Sequence, residues 1–297
     1  MAALSGHVPV LAEEAIEWLQ PVDGGLYVDA TLGLGGHSRA ILEAAAPSGR
    51  LIGFEWDSQA ARIAEEHLAA FAGAERVQIV PLSYVELENE LARLGVEAVD
   101  GLIADLGVSS LQLDTPERGF SFLSDAPLDM RMDRSRQVDA AALLAALSEE
   151  QLADLFYYYG EERQARRIAR HLAQAREQEP LSTTRQLARL VAAAVPRKYH
   201  PRRVHMATKV FQALRIAVNG ELDNIRALLM QAPAVLRPGG RVAIITFHSL
   251  EDRLVKQVFE QHPMLQPLHK KPFEPKSDEI RRNPRARSAK MRVAQRV

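Results

Sequence analysis

Short apolar runs alternate with amphipathic segments over the first third of the chain. The runs predict strands at 26–28, 50–54, 76–82 and 99–106, and the segments at 37–46, 57–71 and 84–94 predict the helices between them. Strands that alternate with helices form a parallel sheet, because each crossover returns the chain to the same end of the sheet. The pattern therefore predicts an open, doubly wound α/β fold, with a packing helix at 11–19 before the first strand.

The alternation stops after the fourth strand and resumes near the C-terminus. Residues 111–137 are rich in turn formers and predict a structured loop, and helices alone are predicted at 139–147, 148–159, 161–178, 183–194, 205–218 and 222–236. A Pro-Gly-Gly turn then leads into the strongest strand candidate, followed by a helix and a last strand, at 241–247, 253–261 and 291–297. The predicted division is an α/β part at 1–108, an inserted loop and helical domain at 109–208, and a second α/β part at 209–297.

Composition excludes several classes of protein. The chain has 297 residues, 47% hydrophobic and 25% charged, as is usual for a globular protein. It contains no cysteine, so disulfides and thiolate metal sites are excluded, and we expect no metal site. No apolar stretch is long enough to span a membrane, and the N-terminal segment lacks the basic region of a secretory leader. We therefore expect a cytoplasmic protein without a membrane partner.

Charge is balanced overall and basic locally. The net charge is −1, but residues 269–297 contain ten Lys or Arg against three Asp or Glu, and residues 197–203 (RKYHPRR) add four basic side chains. Such patches suit a phosphate backbone. A solvated, partly disordered tail would have the same composition, so charge alone does not decide between the two.

A glycine turn follows the first predicted strand. Asp29 ends that strand, and Gly33, Gly35 and Gly36 lead into the next helix, where glycines let the backbone approach a ligand and free N–H groups receive its oxygens. The third glycine of the G-x-G-x-x-G dinucleotide pattern is missing. A nicotinamide dinucleotide and S-adenosylmethionine both bind at turns of this kind. The missing third glycine and the carboxylate of Asp29 favour S-adenosylmethionine, which has no phosphate. An ordinary tight turn remains the alternative.

Two further acidic residues end neighbouring strands. Glu55 follows the second strand, where an acidic residue usually binds ribose hydroxyls, and Asp105 ends the fourth. Ligands of open parallel sheets bind at the carboxyl ends of the strands. We therefore expect Asp29, Glu55 and Asp105 to line one crevice, although Asp105 would also serve as a simple loop cap.

Seven sequence blocks together carry a family resemblance. They are 29–37 (DATLGLGGH), 105–110 (DLGVSS), 118–122 (RGFSF), 127–132 (PLDMRM), 209–215 (KVFQALR), 247–252 (FHSLED) and 283–288 (NPRARS). In this order they resemble the bacterial 16S ribosomal RNA cytosine N4-methyltransferases over essentially the whole chain. The resemblance implies a class I methyltransferase domain, Rossmann-like, interrupted by a helical substrate-binding domain. It also implies methylation of the exocyclic N4 amine of one cytosine in the decoding centre of the small ribosomal subunit.

The resemblance also implies a cofactor site for S-adenosylmethionine. The predicted contacts, which include the residues of the glycine turn, are Asp29, Gly33, Gly35, Gly36, His37, Glu55, Tyr84, Asp105 and Gln112. Two positions depart from the family pattern. Glu55 stands where Asp is usual, which lengthens the side chain but keeps both acceptor oxygens, and Tyr84 stands where Phe is usual.

Arginine and aromatic side chains provide candidate contacts with 16S ribosomal RNA. The candidates are Arg118, Phe120, Arg131, Lys209, Arg215, Arg285 and Arg287. Arginines and aromatics in a long loop suit phosphate pairing and base stacking. A loop packed by its own Phe and Met residues is an equal alternative for any one of them. The three consecutive tyrosines at 157–159 are interpreted as packing within a helix pair.

The chemistry predicted for the site is methyl transfer to an amine. Asp105, His248 and Asp252 are the candidate catalytic residues, because the Asn/Asp-Pro-Pro-aromatic signature of amino-methyltransferases is absent. A dehydrogenase and a non-catalytic ribosome-assembly factor are the alternative functions. The sequence leaves open whether the chain is a homodimer, and whether it acts on bare RNA or an assembled subunit.

Overall fold

The chain folds into two compact units. The computed structural model describes residues 9–72, 75–201 and 204–297. The first unit comprises Met1–Gly107 with Leu222–Val297, and the second is Val108–Glu221. The second boundary therefore lies beyond the position expected from the sequence, because the helix expected to return to the α/β domain packs within the insert. Arg202 and Arg203 of the predicted basic patch lie outside the described residues.

A seven-stranded sheet forms the centre of the first unit. Its strands are β1 (Leu26–Asp29), β2 (Arg50–Phe54), β3 (Val77–Val80), β4 (Val99–Asp105), β5 (Leu236–Thr246), β6 (Leu265–Pro267) and β7 (Lys290–Arg296), in the order β3-β2-β1-β4-β5-β7-β6. The first five strands pair in parallel, while β7 runs antiparallel to both β5 and β6. The predicted doubly wound, mostly parallel sheet is confirmed. Strand β6 was not predicted.

Most helices follow the predicted pattern, but the short helices at Ser110–Asp114 and Ser277–Arg282 were not predicted. They are α1 (Ala12–Leu19), α2 (Gly36–Ala44), α3 (Ser58–His67), α4 (Ala69–Ala72), α5 (Leu87–Arg93), α6 (Ser110–Asp114), α7 (Ala140–Ala146), α8 (Glu149–Tyr158), α9 (Ala165–Gln178), α10 (Thr184–Ala194), α11 (Thr208–Asn219), α12 (Glu221–Val235), α13 (Ser249–Gln261) and α14 (Ser277–Arg282). Asp57 caps α3 by accepting from the Gln59 N–H at 3.1 Å, as its position before the helix predicts. No helix within the described ranges is both long and apolar enough to cross a membrane.

Helices cover both faces of the sheet. Alternate residues of a strand point to opposite faces, so one apolar cluster contains Val28, Ile52, Leu102, Val242 and Ile244 with Leu228 and Leu229 of α12. The other contains Tyr27, Leu51, Ile103, Ala243 and Ile245 with Leu19 of α1 and Ile41 of α2. With both faces buried, the charged side chains of β1 and β2 lie only at the strand ends, Asp29 as the last residue of β1 and Arg50 as the first of β2.

The predicted loop is held in place inside the second unit. Arg118 donates from Nη2 to the carbonyls of Arg131 (3.0 Å) and Met132 (2.8 Å). Asn219 of α11 accepts from the Met132 N–H and donates to the Met130 carbonyl, both at 2.8 Å. Helix α11 also packs on α7 and α8, which explains why it belongs to this unit.

Candidate methyltransferase site

The chain reverses its direction of winding between β1 and β4. From β1 it continues outward through β2 and β3, and β4 then returns to the other side of β1. The two loops that leave β1 and β4 consequently separate and open a crevice at the carboxyl ends of the strands, where ligands of such sheets bind. Asp29 and Asp105 are the last residues of these two strands.

The glycine turn forms one wall of the crevice. Gly33 (φ 53°) and Gly35 (φ 83°) have left-handed backbone conformations, which glycine adopts without strain. A Cβ at Gly36 would lie 3.2 Å from Cβ of Pro9, which is tighter than an ordinary contact. The turn therefore needs glycine for conformation at two positions and for close approach at a third.

Asp29 is buried at the base of the turn. Its Oδ2 accepts from the Ser38 hydroxyl at 2.7 Å, and its Oδ1 accepts from the Thr31 N–H at 3.1 Å. Burial raises the pKa of Asp29 above its ordinary value, against the opposing effects of His37 and these hydrogen bonds. Asp29 thus fixes the turn and places a carboxylate beneath it.

Glu55 connects the end of β2 to the same turn. Its Oε2 accepts from the Gly33 N–H at 2.9 Å, and its Oε1 accepts from the Asp57 N–H at 2.8 Å. Burial raises the pKa of Glu55 to about 8, although both backbone hydrogen bonds act in the opposite direction. The longer side chain therefore spans the gap to the turn and keeps both oxygens as acceptors.

Asp105 carries an acceptor with no partner. Its backbone N–H donates to Oγ1 of Thr31 at 2.6 Å, which ties the end of β4 to the loop after β1. Its side chain is 24% exposed, yet Oδ1 is buried and forms no hydrogen bond with the described residues. Burial raises the pKa of Asp105 to about 6, with smaller contributions from Asp29 and Glu251 in the same direction. A buried unpartnered acceptor is uncommon in native proteins and suits a ligand donor.

His37 faces Asp105 from the first turn of α2. Its Nε2 lies 2.8 Å from the Val10 carbonyl, and because a carbonyl only accepts, this nitrogen carries a proton. Nδ1 lies 3.9 Å from Oδ2 of Asp105, and the imidazole favours the ionised form of that carboxyl group. The contact with Val10 thereby fixes the orientation of the ring toward Asp105.

The other two predicted catalytic residues have structural partners. His248 caps α13 by accepting from the Glu251 N–H at Nδ1 (3.4 Å), and its Nε2 lies 3.1 Å from Oε1 of Glu251. Asp252 accepts from Nε and Nη2 of Arg292 at 2.6 and 3.2 Å, which ties α13 to β7. These contacts favour a structural role for Asp252. His248 Nε2 is buried and forms no hydrogen bond with the described residues, so its catalytic role stays a prediction.

Glu251 was not predicted from the sequence to belong to the site. Its side chain is fully buried, and its Oε2 accepts from the backbone N–H of Phe247 at 2.8 Å, just after β5 ends. It is also close enough to Asp105 to raise the pKa of that residue. The capping-box spacing His-x-x-Glu contained the available signal, but a helix cap gives no indication of influence on a neighbouring strand.

Two predicted cofactor contacts have other surroundings. Tyr84 lies in a single turn of 3₁₀ helix at Tyr84–Glu86 and packs, partly buried, against the apolar cluster of the sheet. Gln112 belongs to the second unit, where its Oε1 accepts from the Ser109 N–H at 3.1 Å in a capping box of α6. Their roles at the site stay predictions.

Several predicted RNA contacts are part of the internal framework of the second unit. The side chain of Arg118 is buried and Phe120 is 9% exposed. Arg131 pairs with Asp129 through Nε and Nη2 at 2.7 and 2.9 Å. These contacts favour packing and orientation of the loop over direct binding of RNA.

The two basic residues of α11 are likewise engaged. Arg215 pairs with both oxygens of Glu221 at 2.9 and 2.8 Å, and Lys209 donates from Nζ to the Glu161 carbonyl at 2.7 Å. Arg285 and Arg287, on the 3₁₀ turn at Pro284–Ser288 of the first unit, are exposed. Of the seven predicted RNA residues, these two present their side chains most openly to solvent.

Comparison with known proteins identifies the family. The sequence model of the MraW methylase family matches residues 4–297 of this chain. The chain belongs to this family. The ribosomal RNA small subunit methyltransferase H of Desulfotalea psychrophila is 51% identical over 98% of this chain and 98% of its own length. The enzyme of the same name from Sorangium cellulosum is 52% identical over 98% of this chain and 91% of its own length. The resemblance and the class I methyltransferase fold inferred from the motifs are confirmed.

A solved structure gives a more distant likeness. An rRNA methylase from Streptococcus thermophilus aligns over 98% of this chain and 99% of its own, with 10% identity and a TM-score of 0.47.

Proposed function

We propose that the chain transfers a methyl group from S-adenosylmethionine to the N4 amine of one cytidine in the decoding centre of 16S ribosomal RNA. The reaction takes place in the cytoplasm, on RNA of the small ribosomal subunit. The observation that carries the proposal is the convergence of Asp29, Glu55 and Asp105 on the glycine turn at the point where the sheet reverses its winding. Membership of a methylase family and the name shared by the relatives support the reaction and its substrate.

The chain fits a nucleoside cofactor at the turn. Glu55 has the position and the acceptor oxygens required by ribose hydroxyls, and the positive φ angles of Gly33 and Gly35 shape the turn beside it. The buried Oδ1 of Asp105 requires a donor that none of the described residues supplies. S-Adenosylmethionine, when bound, supplies an electrophilic methyl group on a sulfonium sulfur. The ionised Asp105 suits its positive charge, whereas a dinucleotide would add phosphates beside the acidic residues of the turn.

Asp105 acts on the amine of the substrate. The lone pair of a cytosine amine is delocalised into the ring, so the amine is a weak nucleophile until a hydrogen bond favours its pyramidal form. A carboxylate oxygen of Asp105 accepts that hydrogen bond. The amine nitrogen would gain a bond to the methyl carbon as the bond from that carbon to the sulfonium sulfur breaks and its electron pair stays on sulfur. The nitrogen loses one proton, and an aspartate with a pKa of about 6 is ionised at neutral pH and able to accept it. His37 holds the carboxylate in its ionised form from the opposite side.

The in vivo product tests this proposal. Small subunits from cells in which the gene is disrupted should lack N4-methylcytidine in 16S ribosomal RNA, and the wild-type chain should restore it. The Asp105→Asn variant should not restore it. Undiminished N4-methylcytidine in the disrupted strain would contradict the assignment.

A further inference from the structure

The tip of the α8–α9 hairpin is composed of tyrosine and arginine on its exposed side. Tyr157 and Tyr158 end α8 and are 58% and 63% exposed. After them, the side chains that are exposed up to residue 170 are Arg163, Arg166, Arg167 and Arg170. Every exposed side chain between residues 157 and 170 is therefore aromatic or cationic. We call Tyr157, Tyr158, Arg163 and Arg166 the hairpin tip.

The two helices run in opposite directions, which brings the members of the hairpin tip to one end. Nε of Arg170 lies 3.3 Å from Oε1 of Glu149, so the middle of α9 lies beside the start of α8. The end of α8 must then lie beside the start of α9. Arg163 lies in the short turn that follows the two tyrosines, and Arg166 lies in the first turn of α9.

The turn that supports the hairpin tip is rigidly built. The N–H groups of Gly160 and Glu162 both donate to the Phe156 carbonyl, at 3.2 and 3.1 Å. A Cβ at Gly160 would lie 2.6 Å from the Phe156 carbonyl oxygen and 2.7 Å from that of Lys209, so any larger residue would displace backbone. Gln212 of α11 fixes the turn further, by donating from Nε2 to the Tyr159 carbonyl at 3.0 Å.

Lys209 of α11 supports the same turn as Gln212. Its Nζ donates to the Glu161 carbonyl at 2.7 Å. Lys209, which the sequence analysis predicted to contact RNA, thus supports the turn that carries the hairpin tip.

The side chains of the hairpin tip are available to a partner. The rings of Tyr157 and Tyr158 meet edge to face, with centroids 5.2 Å apart at 82°, which leaves ring faces open to solvent. Within the described part of the chain, Arg163 and Arg166 have no hydrogen bond or ion pair. The acidic residues closest to them in the sequence are Asp154, one turn earlier on α8, and Glu161 and Glu162 of the turn. Glu162 is buried and accepts from the Gln164 N–H, so its charge does not face the arginines.

We propose that the hairpin tip binds an unpaired segment of the ribosomal RNA substrate. Open tyrosine faces stack on bases that are not engaged in a duplex, and guanidinium groups pair with phosphates or stack on bases. Unpaired arginines beside exposed aromatic rings match a strand that carries one phosphate per base. The inference rests on the proposed function, because that function supplies the RNA.

The test uses the full-length protein in three forms. Tyr157→Ala/Tyr158→Ala removes the rings, Tyr157→Phe/Tyr158→Phe keeps the ring faces, and Arg163→Gln/Arg166→Gln removes the charges. Arg50→Gln/Arg62→Gln is the matched control, because both arginines are exposed and belong to the first unit. Each form is assayed for affinity to naked 16S ribosomal RNA and to small subunits, for KM and kcat, and for binding of S-adenosylmethionine.

Loss of the rings should weaken RNA affinity and raise KM for RNA about tenfold, the equivalent of ~1.4 kcal/mol, with cofactor binding unchanged. The Phe form should retain wild-type affinity. Loss of the two arginines should reduce the slope of log affinity against log salt by about 1.5, because two phosphate contacts are removed. The control should leave both affinity and KM unchanged.

Two outcomes would overturn the inference. Unchanged RNA affinity and KM in both the Ala form and the Gln form would show that the hairpin tip does not touch the RNA. A loss seen with small subunits but not with naked RNA would assign the surface to a ribosomal protein. If the wild-type chain bound RNA through the hairpin tip but transferred no methyl group, the proposed function would be wrong, whereas the inference that the hairpin tip binds RNA would remain valid.

Discussion

The backbone N–H of Leu11 donates to Oε1 of Glu279 at 2.8 Å, a contact that joins residues 268 positions apart. Leu11 has a left-handed backbone conformation (φ 53°), and the preceding residue, Val10, holds His37 through its carbonyl. The C-terminal helix α14 therefore supports a strained turn that orients the imidazole toward Asp105. A segment far from the sheet crevice in sequence has a direct structural connection to it.

Replacing Glu279 should affect the crevice through this turn. Glu279→Ala leaves the Leu11 N–H without its charged acceptor, so we expect a loss of about 1–2 kcal/mol in the free energy of unfolding. We also expect weaker binding of S-adenosylmethionine, because His37 loses its fixed orientation. Chemical denaturation and calorimetry measure the two effects. Glu279→Gln keeps an acceptor oxygen and is the matched control. Equal cofactor affinity in the Ala and wild-type forms would show that α14 has no influence on the crevice.

Replacing Glu55 by Gln should make the folded protein more stable at pH 8 and weaken its binding of S-adenosylmethionine. The pKa of Glu55 rises from 4.5 in the unfolded chain to about 8 in the folded one, so between these values the folded state binds more protons. The stability contribution of Glu55 is therefore fully present below pH 4.5 and is lost as the pH rises toward 8. Glu55→Gln should remove this dependence and be the more stable form at pH 8. It should bind S-adenosylmethionine about tenfold more weakly, because one acceptor oxygen is replaced by an amide NH2 group, which only donates.

Urea unfolding of the cofactor-free protein at several pH values tests the first effect, and calorimetry tests the second. Glu66→Gln is the matched control, because Glu66 is exposed on α3. A parallel pH dependence in the wild-type and Glu55→Gln proteins would show that this carboxyl group does not titrate abnormally.

Asp105 should determine the acid limb of the activity profile. Its pKa is about 6, and the ionised form is the proton acceptor. The value of kcat/KM should therefore fall as the pH decreases through about 6, by tenfold per unit below it. Asp105→Asn should lower the rate about 100-fold and abolish this limb. Steady-state kinetics from pH 5 to 8 gives the answer, and an Asn form that kept the wild-type limb would assign it to another group.

Asp252 should contribute to stability and not to the reaction. Asp252→Asn weakens the two-point contact with Arg292, so we expect a loss of about 1–3 kcal/mol in the free energy of unfolding and nearly unchanged kcat. A double-mutant cycle with Arg292→Gln isolates the pair energy by denaturation. A large fall in kcat without a loss of stability would return Asp252 to the catalytic residues.

The sequence predicted the parts of the fold that depend on local pattern. Apolar runs of strand length and their helical spacers are sufficient to place β1 to β4, and the order of elements then places Asp29, Glu55 and Asp105 at one edge. Strand β6 was missed because its three residues depend on pairing with β7.

The roles of individual charged residues were harder to predict. Arg131 and Arg215 have the composition expected of RNA contacts, but their ion-pair partners, Asp129 and Glu221, become apparent only in three dimensions. Tyr157 and Tyr158 show the opposite case. The sequence suggested packing, whereas the structure buries Leu152 and Phe156 on the inner face of α8 and leaves these two rings outside.

The decisive measurement is transfer of labelled methyl from S-adenosylmethionine to small ribosomal subunits that lack the modification. We expect the wild-type chain to place the label in N4-methylcytidine of 16S ribosomal RNA, and Asp105→Asn to bind the cofactor but transfer about 100-fold less. Label in another nucleoside, or no label from a wild-type chain that binds the cofactor, would rule out the proposed reaction.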